Sequence, residues 1–325
     1  MLNSPQSTPQ PILFAQVEPT THCNFTCGFC CGRQMDQSHL SVARFEQFLQ
    51  RFPDIRHLEL QGEGEPLIHP DFFTMVARAE TADIQVSLIT NGSCFSRSVV
   101  DKLLKSRIRA IRISLETGDA VKFQQLRGGS LDAVIAGIVR LRDARAERDQ
   151  NTPSIGFAVT VLDSTLDDLP DIYALYEQLG LEGGVAVQPL NRMPFYIKHS
   201  TPALQTQYLT AAQHGARYQL YLNSEAAQRI WHTRSFHTHF YDELFKRHPL
   251  VSCPWLDSGI YMDRHGRLSP CCMIKPEIWP WGDVDTLSDN ELYNIRQQLA
   301  QTLAANCIPE PCQGCNVAWM VVNSG

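Results

Sequence analysis

Cys23, Cys27 and Cys30 stand at the spacing C-x3-C-x2-C. Three thiolates on one tight loop can hold three irons of a [4Fe–4S] cube. No fourth cysteine has a matching place, because Cys31 directly follows Cys30 and its side chain points elsewhere. A cube held in this way keeps one iron free of a protein ligand, and that iron can bind a substrate or a cofactor. The competing reading is structural zinc. Zinc normally takes four ligands from paired C-x2–4-C knuckles, and three cysteines at this spacing fit that poorly.

A second group, Cys253, Cys271, Cys272, Cys307, Cys312 and Cys315, lies near the other end, with only Cys94 in between. Tyr261 to Cys271 reads as a β-hairpin turning at Gly266, followed by a helix over Leu287 to Ala304 and a Cys312-x2-Cys315 knuckle. Four thiolates from a hairpin and a knuckle can enclose a cluster, and they can equally form a zinc ribbon. Eleven cysteines are many for a chain of 325 residues. In a reducing compartment such usage points to metal binding or catalysis rather than disulfides.

These loops need elements to hold them. Strand-like runs cover Ile12–Val17, His57–Leu60, Ile84–Ile89, Ala110–Leu115, Ile155–Val161 and Gly184–Pro189, and helix-like runs lie between them at Ser41–Phe52, Asp71–Glu80, Ser96–Ser106, Leu131–Arg148 and Leu166–Leu179. Six strands alternating with helices imply a parallel sheet wrapped by helices, with chemistry at the C-terminal ends of the strands. Asn191 to Ser200 reads as a loop near that end, and Thr201–Tyr218 and Glu225–Arg247 as helices. The division expected is a flexible terminus 1–11, a barrel 12–200, a helical linker 201–250 and a cysteine-bearing domain 251–325.

The formal net charge is −6 and no basic stripe stands out, which disfavours nucleic acid as a main partner. No run approaches the ~18–20 apolar residues of a membrane span, and Met1 to Pro11 lacks the features of a secretory signal. The expected location is cytoplasmic.

The cysteine loop Cys23-x3-Cys27-x-Phe29-Cys30 resembles the signature of the radical S-adenosylmethionine superfamily, with Phe29 at its aromatic position. Further motifs resemble that family in order. Gly62–Glu63–Gly64–Glu65–Pro66 is similar to its glycine-rich GGEP turn, although Glu63 replaces a glycine or small residue. Thr90–Asn91–Gly92 ends the third strand, Ser114 and Glu116 the fourth, and Gln188 the sixth, while Arg127 resembles an arginine that pairs with the cofactor carboxylate. The motif of the fifth strand departs, with Asp163–Ser164 where many members carry Asn. The resemblance implies that Cys23, Cys27 and Cys30 hold the catalytic cluster. It implies S-adenosylmethionine contacts from Phe29, Gly64, Glu65, Pro66, Asn91, Ser114, Arg127 and Gln188.

Cys253-x12-Gly266-x4-Cys271 resembles the start of a SPASM domain, and the shorter twitch version with one auxiliary [4Fe–4S] cluster fits the remainder. The ligands it implies are Cys253, Cys271, Cys312 and Cys315, with Cys272 or Cys307 able to displace one; Cys31 and Cys94 read as buried small residues. The fold implied is α/β: a partial (β/α)6 barrel of TIM type followed by a small twitch domain of hairpin and helix. The activity implied is reductive cleavage of S-adenosylmethionine and hydrogen abstraction from a ribosomally made peptide. Crosslinking, epimerisation, oxidation or backbone excision would follow. The alternatives are dehydrogenation of a small alcohol or sugar, and a non-enzymatic electron-transfer module. About a dozen residues precede the first strand, so a separate recognition protein is expected to deliver the peptide. A reductase or flavodoxin-type donor would supply electrons.

Overall fold

A computed structural model describes residues 11–209, 217, 220, 221, 223–232 and 252–323. Six strands run in chain order as β1 Phe14–Val17, β2 His57–Leu60, β3 Gln85–Thr90, β4 Ala110–Ser114, β5 Ser154–Val161 and β6 Val185–Pro189. Each pairs in parallel with the next. The helices that return the chain are α1 Val42–Arg51, α2 Phe72–Thr81, α3 Arg97–Lys105, α4 Ala120–Arg127, α5 Leu131–Ala146 and α6 Leu169–Gln178. Ser41, Ser96, Asp119 and Ser130 begin α1, α3, α4 and α5 by accepting a backbone N–H with their side chains.

The strands split by face with a period of two. Val17, Leu58, Leu60, Val86, Leu88, Ile111, Ile113, Phe157, Val159 and Val161 enter the main core under the helices. The opposite face carries Gln16, Glu18, Glu59 and Arg112, all buried, together with Ser114 and Thr160. A buried parallel sheet ordinarily reads as continuous apolar sequence. Here one face is polar, which is where a reaction chamber would lie.

The C-terminal hairpin joins the same sheet. β7, Gly259–Met262, pairs in parallel with β1, Phe14 opposite Gly259 and Val17 opposite Met262, and β8, Leu268–Ser269, closes antiparallel on β7. The order is β6-β5-β4-β3-β2-β1-β7-β8. The sheet therefore crosses the boundary expected near residue 250. Leu13 N–H donates to Ser258 O and Glu18 N–H to Met262 O, so the free edge of β1 is satisfied by this strand. A second apolar cluster of Phe14, Trp255, Leu256, Tyr261, Ile274, Leu299 and Leu303 gathers around the C-terminal cysteines. The helix Asp289–Ala304 closes it, begun by a Ser288–Glu291 capping box.

The structure adds to or revises the sequence reading in places. Asn191–Ser200 is not a plain loop, because Pro194 opens the short helix Pro194–Lys198, a position where its missing N–H costs nothing. The sequence reading passed over α4, whose buried residues are only Phe123 and Arg127, too narrow a stripe to show as periodicity. Of the helices expected over Thr201–Tyr218 and Glu225–Arg247, the structure shows Pro202–Gln205 and Glu225–His232. The rest of those segments falls largely outside the described residues. Among the described residues no helix is long and apolar enough to cross a membrane.

Candidate active site

The loop from Cys23 to Cys30 lies past the C-terminal end of β1 and hangs on the end of α4. Thr26 N–H donates to Arg127 O at 2.9 Å and Gly28 N–H to Leu126 O at 3.0 Å. The last-turn carbonyls of a helix need outside partners, and the cysteine loop supplies them. Gly128 ends α4 at φ +71°, and a Cβ there would overlap Thr26 Oγ1.

Backbone and amide donors face the sulfurs. Phe25 N–H lies 3.4 Å from Cys23 Sγ, Gly32 N–H 3.3 Å from Cys30 Sγ, and Asn91 Nδ2 3.8 Å from Cys23 Sγ. Donors aimed at ligand sulfurs stabilise thiolate and tune a cluster's potential. Burial pushes the Cys27 thiol up to about 11 and raises that of Cys30, and partial desolvation raises that of the more exposed Cys23. Without a metal these thiols stay neutral, and metal binding must release their protons.

Glu65 is fully buried and accepts from Thr90 Oγ1 at 2.7 Å, Asn91 N–H at 2.6 Å and Leu67 N–H at 3.1 Å. It ties the turn after β2 to the end of β3. Asn91 in turn donates to Asn24 Oδ1 at 2.9 Å, so this chain of contacts ends in the cysteine loop. At Gly64 a Cβ would overlap the carbonyl oxygens of Thr20 and His22, so only glycine lets this turn press on the chain leaving β1. Pro66 begins the single turn Pro66–Ile68.

Arg127 is the last residue of α4 and is buried. It forks onto Glu116 through Nε and through Nη2 at 2.6 Å, and its third nitrogen, Nη1, lies 3.9 Å from Cys27 Sγ. The guanidinium also stands 5.7 Å from the Phe29 ring centre. Ser114 ends β4 half-buried, and Gln188 is exposed on the edge strand β6. Cys31 is buried as read, whereas Cys94 is half-buried.

Sequence reasoning missed Lys275 and Tyr196. Lys275 Nζ lies 2.8 Å from Glu63 Oε1, and Tyr196 Oη donates to the same oxygen at 2.8 Å. Tyr196 lies in the Asn191–Ser200 segment that read as a loop near the strand ends, whereas Lys275 carried no signal in the sequence. Asp263 does turn chemistry, accepting from His265 N–H and Arg267 N–H at 2.9 Å each.

In the C-terminal set, Cys253 precedes β7, Cys271 follows β8, and Cys312 and Cys315 flank a short turn. The thiols are near enough to raise one another's proton affinity: burial and then Cys271 act on Cys253, Cys312 and Cys315. Cys272 is buried with its thiol against that of Cys271, whereas Cys307 is exposed. Among the described residues, no three or more His, Cys, Asp or Glu side chains close on a point that could hold a single metal ion.

A parallel αβ sheet with a three-cysteine loop beyond its first strand defines a class of enzymes built around an incompletely ligated iron–sulfur cube. Residues 17–176 match the family model of the Radical SAM superfamily, and the chain belongs to that superfamily. The family implies a [4Fe–4S] cluster and S-adenosylmethionine, and the residues at Cys23, Cys27 and Cys30 fit such a group in donor chemistry.

An AdoMet-dependent heme synthase of Methanosarcina barkeri is 27% identical over 169 residues, 50% of this chain and 46% of that protein. A GTP 3′,8-cyclase of Mesorhizobium japonicum is 31% identical over 173 residues, 50% of each chain. The chain thus spans about half the length of the curated relatives it matches. The structure of Streptococcus suis SuiB bound to precursor peptide SuiA superposes with TM-score 0.69 at 17% identity, over 97% of this chain and 72% of that one. That of anSMEcpe with bound AdoMet gives 0.66 at 14% identity, over 96% and 89%. The two structural likenesses establish the shared fold.

Proposed function

We propose that this chain reductively cleaves S-adenosylmethionine and abstracts a hydrogen from a ribosomally made peptide, using one catalytic and one auxiliary [4Fe–4S] cluster. The observation that carries the reading is the pair of thiol sets borne on one sheet, one beyond β1 and one flanking the hairpin that β7 pairs to it. The likeness to SuiB, solved with its precursor peptide, runs through both sets and supports the peptide. With cluster and cofactor bound, one-electron cleavage of the sulfonium supplies a 5′-deoxyadenosyl radical that takes a substrate hydrogen.

The chain's own residues bind, orient and shield. Cys23, Cys27 and Cys30 would ligate the first cluster, and Cys253, Cys271, Cys312 and Cys315 the second. Asn91, held by Glu65 and Asn24, keeps its amide beside Cys23. Glu116 orients Arg127, leaving Nη1 aimed at the cluster loop. Gly64 and Pro66 shape the turn that walls the site, Phe29 lies against Arg127, and Ser114 and Gln188 stand at strand ends where adenosine would lie. In this reading residues 12–200 form the catalytic barrel, 201–250 a linker and 251–325 the twitch-type domain. It calls for a separate recognition protein to deliver the peptide, and for a reductase or flavodoxin-type electron donor.

A second reading, small-molecule chemistry, draws on the heme synthase and GTP cyclase names of the half-length relatives. The test is anaerobic reconstitution with iron and sulfide counted. Dithionite and S-adenosylmethionine are then added, and 5′-deoxyadenosine is measured with and without candidate peptides. About eight irons, at four per cube, and peptide-stimulated 5′-deoxyadenosine are expected. Undiminished cleavage in the Cys23→Ala, Cys27→Ala, Cys30→Ala variant would refute the first set. Stimulation by a small alcohol, sugar or nucleotide and by no peptide would favour the second reading.

A further inference from the structure

Glu63 interrupts the glycine-rich turn, and its surroundings explain why a charge is held there. Its side chain is largely buried, 14% exposed, with Oε2 3.9 Å from Cys30 Sγ, while its carbonyl oxygen lies 3.6 Å from the same sulfur. Oε1 takes both the Lys275 ammonium and the Tyr196 hydroxyl, each at 2.8 Å. Its backbone N–H donates to Glu18 Oε1 at 2.8 Å, fixing the residue from behind. Lys275 has a side chain 2% exposed and packs its ammonium 5.0 Å from the Tyr261 ring centre. It sits just past the turn that Ile274 N–H closes onto Cys271 O. The anion beside the first thiol set is therefore compensated by a cation borne on the second.

We propose that the Glu63–Lys275 pair sets the reduction potential of the cluster on Cys23, Cys27 and Cys30. It lets the C-terminal cysteine segment act on that potential. The inference rests on the reading that those cysteines hold a cluster. Reduction adds one negative charge to a cluster. A carboxylate some 4 Å from a ligand sulfur opposes that charge, and an ammonium behind the carboxylate favours it. In a buried site both effects are weakly screened. A glycine in place of Glu63 would leave Lys275 buried without its partner, which is strongly destabilising. Glu63 and Lys275 are thus required together, and Tyr196 fixes the carboxylate so that its distance from Cys30 holds. These are positioning residues, and none of them needs to touch substrate.

The test is a potentiometric titration of the reconstituted full chain, following the electron paramagnetic resonance signal that responds to added S-adenosylmethionine. Glu63→Gln removes the anion and should raise the potential. Lys275→Met removes the cation and should lower it, and the two together should return it near wild type. Lys275→Arg keeps the charge and should leave it unmoved. A purely structural strap would lower iron content in both single variants alike and give no shifts of opposite sign. Where an unpaired buried charge prevents folding, the exchange Glu63→Lys with Lys275→Glu keeps a pair and places the cation beside Cys30. A raised potential in that variant supports the proposal. An unmoved potential there, or shifts of one sign in both single variants, overturns it. Failure of the wild type to bind a [4Fe–4S] cluster would instead remove the reading beneath it, and iron and sulfide counts tell the two failures apart.

Discussion

Gly128→Ala tests how the cysteine loop is held. Gly128 occupies the left-handed region at φ +71°, where an L-residue loses about 1–2 kcal/mol. A methyl there also overlaps Thr26 Oγ1 on the cysteine loop, and forced overpacking adds about 1–3 kcal/mol. The sum is about 2–5 kcal/mol. Gly180 is the internal control: its φ is +62° and a Cβ would meet nothing within 4 Å, so Gly180→Ala should show the conformational cost alone. Adding Thr26→Ala to Gly128→Ala removes the overlapping oxygen and should recover most of the difference between the two glycines. Urea unfolding of the metal-free chain under reductant, compared at constant slope, measures each step. Iron uptake by the first set should fall in Gly128→Ala and return in the double variant. Equal costs at Gly128 and Gly180, or no rescue by Thr26→Ala, would refute the claim that the loop is packed onto the end of α4.

Replacing Cys312 and Cys315 by Ala should remove about half the iron, at four per cube, and leave some uncoupled 5′-deoxyadenosine; an unchanged count would refute the auxiliary cluster. Glu65→Ala orphans buried donors at Thr90, Asn91 and Leu67, so it should cost about 1–3 kcal/mol in urea unfolding and weaken S-adenosylmethionine binding; unaltered affinity in equilibrium dialysis would confine Glu65 to structure. Arg127→Met leaves Glu116 buried and unpaired at a cost of about 3–5 kcal/mol, and adding Glu116→Leu should restore much of it; no recovery in the double-mutant cycle would show that Arg127 acts through other contacts. Glu277 is raised by burial, but Arg267 and Arg264 outweigh that and hold its carboxyl below 4.5. Its stabilisation is therefore present above pH 4.5 and lost as pH falls through the depressed folded value, so the stability gap between wild type and Glu277→Gln should close in acid; a gap constant with pH would refute the pairing.

The parts of this molecule written in local sequence were legible. Alternating apolar runs marked all six barrel strands, and spacing singled out Cys23, Cys27 and Cys30, which the structure places on one loop beyond β1, because a loop's geometry is fixed within a few residues. What depends on distant partners was not legible. α4 shows no periodicity because its buried face is Phe123 and Arg127, an apolar ring beside a cation. Glu63 read only as a departure from glycine, since Tyr196 and Lys275, the groups that make its charge tolerable, lie far along the chain. The hairpin from Tyr261 to Cys271 was foreseen, but its pairing to β1 was not. A parallel pairing between the first strand and one near the C-terminus leaves no mark in either segment.

That pairing bears on how the two thiol sets can work together. A domain tethered by its linker alone would let the second set drift relative to the first. Here β7 runs beside β1 in fixed register, and both strands point their C-terminal ends the same way. The chain leaves β1 toward Cys23 and leaves β7 toward the turn at Gly266 and back to Cys271. Arg264 on that turn forks between Glu18, just past β1, and Glu277, beyond Cys272. Glu18 also accepts the Glu63 N–H, so a line of paired groups runs from the exposed Glu277 through the buried Arg264 and Glu18 to the residue beside Cys30. Burial of so many charges costs stability unless each is paired, and pairing fixes geometry more than it adds stability. Register and charge together hold the two cysteine sets at a set separation, which under the proposed two-cluster reading is the condition for an electron leaving one to reach the other reproducibly.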